Sequence, residues 1–238
     1  MTRIVEIRDI VCQGMTEPVI CRAEDGFEYV VKGSYAGRRS LIAEWVAGRL
    51  GRLLGLPIPE FCQLQLDPRL ALYGAKTVEI ERLGRGILFG SRRESGLVEI
   101  RKADIALIDW ELRARVLAFD WWIENSDRVL VDGAGNPNLL WSEQGSRLVV
   151  MDHNLAFDPS SMEGFGKEHA FRHACLLWNE PFRSQMELSF RGALTELPII
   201  WSEIPEDWVE IECGLTLSGI ESSLWRFHRE ADKFWNWS

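Results

Sequence analysis

Asn125-Ser126-Asp127-Arg128, followed by Asn136-Pro137-Asn138-Leu139-Leu140 and then Leu148-Val149-Val150-Met151-Asp152-His153, places an Asp, an Asn and a second Asp in order along one short segment. Asn138 and Asp152 are fourteen residues apart, room for two short strands joined by the turn Glu143-Gln144-Gly145-Ser146. A β-hairpin there sets an oxygen ligand at the start of one strand beside another at the end of the next. Phosphoryl transfer from ATP uses such a set: one carboxylate orients the acceptor hydroxyl, while a carboxamide and a second carboxylate hold the metal that bridges the phosphates. Mg²⁺ favours hard oxygen ligands and takes only one or two carboxylates from protein. Each piece alone is also ordinary turn chemistry, and Met151-Asp152-His153 can simply end a buried strand. The ordered trio, with a Lys and a Glu suitably placed upstream, favours the phosphoryl-transfer reading.

Upstream of Asp127, residues 109–124 carry Leu112, Val116, Phe119 and Ile123 at helical spacing, so a helix delivers the chain to the first Asp. The first third reads β-β-β-α-β. Residues 3–12 alternate, 17–23 form a second strand, Glu24-Asp25-Gly26 is a hairpin turn, and Phe27 to Val31 form a third strand ending at Lys32-Gly33. A helix follows from about Ser40, read as its N-cap, to Leu54, with Gly55 as C′ and Pro57 as a stop. Its apolar positions Leu41, Trp45, Leu50, Leu53 and Leu54 make an amphipathic stripe. Phe61 to Leu66 is another strand. Beyond the Gly/Arg-rich stretch Leu83 to Gly96 the chain becomes mainly helical around the embedded hairpin. The fold class is α+β, with a sheet-plus-helix lobe over 1–85 and a helical lobe over 86–238. A cleft between such lobes is the expected place for a cofactor.

Composition narrows the classes. Hydrophobic residues are 46% of 238 and charged ones 26%, which excludes a disordered chain. A net charge of −9 argues against a dedicated nucleic-acid binder. No apolar run reaches the length of a membrane span, and the N-terminus lacks a signal-peptide core, so a cytoplasmic, membrane-free protein is expected. Cys12, Cys21, Cys62, Cys175 and Cys213 form no CxxC pair, which excludes a thiolate zinc site of the usual spacing and fits reduced thiols. His169 and His173 stand four apart on an expected helix and suit a metal, but no third ligand has sensible spacing.

Taken in order, Gly14-Met15-Thr16-Glu17-Pro18, Tyr29-Val30-Val31-Lys32, Glu44 within Leu41-Ile42-Ala43-Glu44, Leu56-Pro57-Ile58-Pro59 and the three stretches quoted first resemble the HipA-like kinases, and more distantly the protein-kinase and phosphoinositide-kinase superfamily. The resemblance runs over most of residues 10–160. It implies a bilobal protein-kinase-like fold, ATP and Mg²⁺ as cofactors, and a hydroxyl acceptor: a protein Ser/Thr, the protein itself or a small molecule.

The resemblance also implies roles. Lys32, at the end of the third strand, reaches the α- and β-phosphates and pairs with Glu44, which lies one turn into the helix on a face shared with Gly48 and Gly51. Asp127 is the catalytic-loop aspartate, and Arg128 anchors that loop by pairing with a carboxylate. Asn138 and Asp152 hold the metal; Asn136 competes with Asn138, which is preferred because an apolar strand follows it directly. Three departures stand out. With no G-x-G-x-x-G loop, phosphate capture falls to backbone N–H groups around Gly14, Met15 and Thr16. Asp152-His153-Asn154 replaces Asp-Phe-Gly. The Asp127–Asn138 separation of eleven exceeds the family's tighter loop, through the insertion Val129 to Gly135. Two other classes remain: an inactive kinase-like nucleotide-binding scaffold or toxin–antitoxin component, and a metal-dependent hydrolase on Asp127, Asp152 and His153. The last is weakened by the scarcity of His, four in all.

Overall fold

The computed structural model describes residues 1–11, 17–73, 76–131, 135–142, 147–209 and 214–236. The fold is α+β. The chain divides into two compact units, one of Met1–Trp45, Pro59–Ser95 and Ile204–Gly214, the other of Val46–Ile58, Gly96–Glu203 and Leu215–Ser238.

The first unit is built on strands β1 (Thr2–Ile10), β2 (Val19–Ala23) and β3 (Glu28–Lys32), the part of helix α1 (Arg38–Leu53) up to Trp45, strand β4 (Phe61–Leu66), helices α2 (Pro68–Tyr73) and α3 (Thr77–Leu83), and strand β5 (Ile87–Arg92). The five strands close into a barrel in the order β1-β2-β3-β5-β4. Closure comes from a parallel pairing of β1 with β4, Ile4 opposite Leu66. Alternate residues point inward, so Ile4, Val19, Cys21, Val31, Leu64 and Leu88 share the barrel core. The expected hairpin turn is present: Gly26 takes φ +87°, and Asp25 Oδ1 accepts the Phe27 N–H at 3.0 Å.

Strand β5 lies within the Gly/Arg-rich stretch Leu83 to Gly96, for which the sequence gives no strand signal. Its inward positions are Leu88 and Gly90, and the glycine hides the alternation. A Cβ on Gly90 would stand 2.3 Å from Leu64 Cδ1, so any larger residue there would have to displace the buried Leu64 side chain. Helices α2 and α3 were likewise unread. Helix α1 also begins earlier than expected, at Arg38 after Gly37, so Ser40 is not an N-cap but a buried residue in its first turn. Nor is the helix amphipathic in the expected way. Residues 40–48 are all buried, while Leu53, assigned to the apolar stripe, is exposed. The expected stop holds: Gly55 takes φ +68°, and Leu56 N–H returns to Gly51 O at 3.0 Å.

In the second unit lie strand β6 (Val98–Glu99), helix α4 (Trp110–Trp122), strands β7 (Leu139–Ser142) and β8 (Arg147–Val150), and helices α5 (Phe165–Glu168), α6 (Glu180–Thr195), α7 (Leu197–Ser202), α8 (Leu217–Leu224), α9 (Arg226–Arg229) and α10 (Ala231–Trp235). The expected hairpin is β7–β8, Leu139 opposite Val150, with β6 added on the β7 side. Its turn, Glu143 to Ser146, lies outside the described residues. Aromatic rings fill this unit: Trp122 stacks on Phe190 at 4.2 Å, and Phe190 meets Phe227 at 5.5 Å. Among the described residues, Cys21, Cys62 and Cys175 are free thiols, and no helix is long and apolar enough to cross a membrane.

Candidate functional site

Helix α4 starts at Asp109, whose carboxylate accepts the Leu112 N–H at 3.0 Å. It ends in a left-handed turn. Asn125 N–H donates to Asp120 O at 2.9 Å, and Glu124 sits at φ +53°, a place that usually falls to glycine. The glutamate is explained by its side chain, which pairs with Arg226 Nε at 3.1 Å and accepts the Ser223 hydroxyl at 2.7 Å. The chain emerges from this turn as Asn125-Ser126-Asp127-Arg128.

Asp127 is half-buried. Its Oδ2 accepts Nδ2–H of Asn138 at 2.9 Å and Nδ2–H of Asn136 at 3.3 Å. Because a carboxylate only accepts, both amides must turn their nitrogens toward it, which leaves each amide oxygen directed elsewhere. The competition between the two asparagines is therefore a shared grip on one oxygen, with Asn138 the closer and more buried. Asn138 and Asp152 flank the hairpin, tied by Met151 N–H to Asn138 O at 3.1 Å. Both adopt left-handed backbone, φ +49° and +57°. Of the five such non-glycine residues among the described ones, Glu124, Asn138, Asp152 and Phe157 lie in this one region, and strain of this kind gathers where geometry is over-determined by its surroundings.

The determinant is Arg128, wholly buried. Its Nε and Nη2 grip Asp120 Oδ2 and Oδ1 at 2.7 and 3.1 Å. Nη1 donates to Asn138 O at 2.8 Å and to Met151 O at 3.3 Å, the carbonyls beside the two candidate metal ligands. Nη2 also approaches His153 Nε2 at 3.4 Å, which must accept since guanidinium only donates. The carboxylate partner expected for Arg128 is thus Asp120. Sequence reasoning passed over Asp120, although one charged residue amid Phe119, Trp121 and Trp122 is the mark of a buried pair. It singled out His169 only as half of a metal pair with His173. His169 and His173 do not share a helix: His169 is the extended residue that ends α5, and His173 lies in the following 3₁₀ turn. His169 Nε2 instead meets Asp120 Oδ2 at 3.0 Å.

The electrostatics agree with this wiring. Burial alone would raise the Asp120 carboxyl, but Arg128 and then His169 outweigh it and hold it below its ordinary value. Burial pushes His169 below its usual 6.5, against the pull of Asp120, so the ring stays neutral in the fold. The unfolded chain then takes up a proton near 6.5 that the folded protein refuses. Stability is expected to fall as pH drops below 6.5, by up to about 1.4 kcal/mol per pH unit from this group. Melting curves at pH 7.5, 6.5 and 5.5 check this: replacing His169 by Gln should flatten the decline, and an equal decline in both proteins would contradict it.

In the first unit, Lys32 Nζ meets Glu44 Oε1 at 2.5 Å, both side chains nearly wholly buried. Alternation along β3 turns Val31 into the barrel and Lys32 to the opposite face. There Phe89, its register partner on β5, contacts Phe61, and Phe61 meets Trp45 of α1 edge-on at 5.3 Å. Glu44 is the charged residue within the buried run of α1, and Lys32 answers it. A double-mutant cycle on Lys32 and Glu44, read as melting temperature, should show coupling of about 0.5–3 kcal/mol. Strict additivity would refute the pairing. Gly14, Met15 and Thr16, expected to cradle phosphate, lie outside the described residues.

The geometry thus brings together the Asp127 carboxylate, held by two amides, and a hairpin that ties Asn138 to the residue before Asp152. Among the described residues no cluster of three His, Cys, Asp or Glu makes a preformed cage. A family model described as HipA-like kinase matches residues 4–238, essentially the whole chain. No curated protein matches it.

Proposed function

The chain belongs to the HipA-like kinase family, and we propose that it is an ATP- and Mg²⁺-dependent phosphotransferase acting on a hydroxyl acceptor. The barrel unit takes the part of the N-lobe and the helical unit that of the C-lobe. The observation that supports this most is the grip of Asn136 and Asn138 on one Asp127 oxygen, with Asn138 tied across the hairpin to the residue before Asp152. One hydrogen-bonded frame thus joins Asp127, Asn138 and the residue before Asp152, which supports reading them as base, amide ligand and carboxylate ligand.

In the proposed reaction the acceptor oxygen attacks the γ-phosphorus, the bond from that phosphorus to the β–γ bridging oxygen breaks, and ADP leaves with the electron pair. Asp127 orients the acceptor hydroxyl and takes its proton. Lys32, held straight by Glu44, neutralises the α- and β-phosphates. Asn138 and Asp152 would hold Mg²⁺, which neutralises charge on the phosphate oxygens. Acceptors of three kinds fit this chemistry: a protein Ser or Thr, the protein itself, or a small molecule.

A ligand bound only by the folded state adds about 2.7 kcal/mol at a hundredfold excess over Kd. Mg·ATP is therefore expected to raise the melting midpoint by roughly 5–10 °C. A chelator should shrink the shift, and Asp152→Ala should abolish its Mg²⁺ dependence. Melting indifferent to both ATP and Mg²⁺ would reject a nucleotide site. A second reading, a nucleotide-binding scaffold without turnover, has one observation in its favour: the separation of eleven between Asp127 and Asn138.

A further inference from the structure

We infer that His169 is a positioning residue: it sets the two candidate metal-ligand loops through Asp120 and Arg128, a role that rests on the kinase reading only for what those loops hold. The wiring is directional. Phe171 N–H donates to His169 Nδ1 at 3.0 Å, so Nδ1 is an acceptor and the ring proton sits on Nε2. That N–H is donated to Asp120 Oδ2, which also receives Arg128 Nε, while Asp120 Oδ1 receives Arg128 Nη2 and Asn125 Nδ2 at 2.9 Å. With its carboxylate fixed from three sides, Asp120 holds the guanidinium in one plane. Arg128 Nη1 is thereby aimed at the carbonyls of Asn138 and Met151.

The backbone closes the same circuit. His169 forms an isolated antiparallel bridge with Val129, and Ala170 N–H reaches Arg128 O at 2.8 Å. The segment that leaves Asp152 thus returns beneath the residue following Asp127. His169, Asp120 and Arg128 are all at most 1% exposed. A buried ionic cluster can often be exchanged for apolar side chains without loss of stability. Core packing alone therefore gives no reason for these three side chains, whereas orienting two loops does. Outer partners that orient a metal's ligands commonly change its affinity 10–100-fold when removed.

Two small substitutions separate the roles of the two ring nitrogens. His169→Gln places an amide nitrogen near Nε2 and keeps the donor to Asp120. His169→Asn keeps an acceptor for Phe171 N–H but does not reach Asp120. In the ligand-free protein, the Met151 amide, which donates to Asn138 O, is expected to exchange with solvent about tenfold faster in His169→Asn and near the wild-type rate in His169→Gln. The Mg²⁺ concentration that half-saturates the ATP-induced melting shift should rise about tenfold or more in His169→Asn and recover in His169→Gln. Equal Met151 exchange in the two variants, or wild-type exchange in His169→Asn, would overturn the proposal. Faster exchange in His169→Asn, in a protein whose wild type ignores Mg·ATP, would uphold the positioning and reject the kinase reading instead.

Discussion

Asp127→Asn is expected to lower phosphoryl transfer by about 10²-fold or more while leaving nucleotide binding nearly intact, the scale set by losing a positioned acid–base group. The substitution is nearly isosteric, but its consequences are not symmetric. A neutral amide in place of the carboxylate either accepts from Asn136 and Asn138 through its oxygen or turns its own N–H groups on theirs. In the first orientation the frame survives and only the base is lost. Transfer measured as label leaving γ-labelled ATP, beside Kd for Mg·ATP, separates these cases. A lower rate with unchanged Kd is the expected result; an undiminished rate would reject Asp127 as the base.

Asp120→Ala is expected to be the most destabilising single change at the site. It strips Arg128, a wholly buried guanidinium, of the carboxylate that grips it at 2.7 and 3.1 Å, and it removes the acceptor of His169. Removing one partner of a buried pair costs about 3–5 kcal/mol. For a chain of this size that is a fall in melting midpoint of roughly 6–20 °C. Surface pairs give the contrast: breaking Arg92–Glu60, whose side chains are 34% and 66% exposed, should cost no more than about 1 kcal/mol. A midpoint for Asp120→Ala within 2–4 °C of wild type, about 1 kcal/mol on this scale, would mean that Arg128 finds another counter-charge.

The parts of this architecture that were legible in the sequence are those written locally. The β7–β8 hairpin could be read because apolar strand residues on both sides bracket a turn. Helix α4 could be read from the spacing of Leu112, Val116, Phe119 and Ile123, and Gly55 marked the end of α1. Strand β5 could not, because Gly90 stands at an inward position that only the neighbouring Leu64 explains. Ser40 resembled a cap because the true start of α1 follows a glycine with no capping side chain. His169 and Asp120 are 49 residues apart, and nothing near either announces the other. The left-handed backbone at Glu124, Asn138, Asp152 and Phe157 was equally hidden, since these residue types do not demand it.

A single-turnover experiment with γ-labelled ATP, counting label on the protein, on any hydroxyl acceptor supplied and as free phosphate, decides whether the chain transfers a phosphoryl group. The wild-type protein is expected to move label off the nucleotide only with Mg²⁺ present, a chelator to stop it, and Asp127→Asn to slow it about 100-fold or more. Tight binding of Mg·ATP with all label remaining on the nucleotide would contradict phosphoryl transfer by this chain.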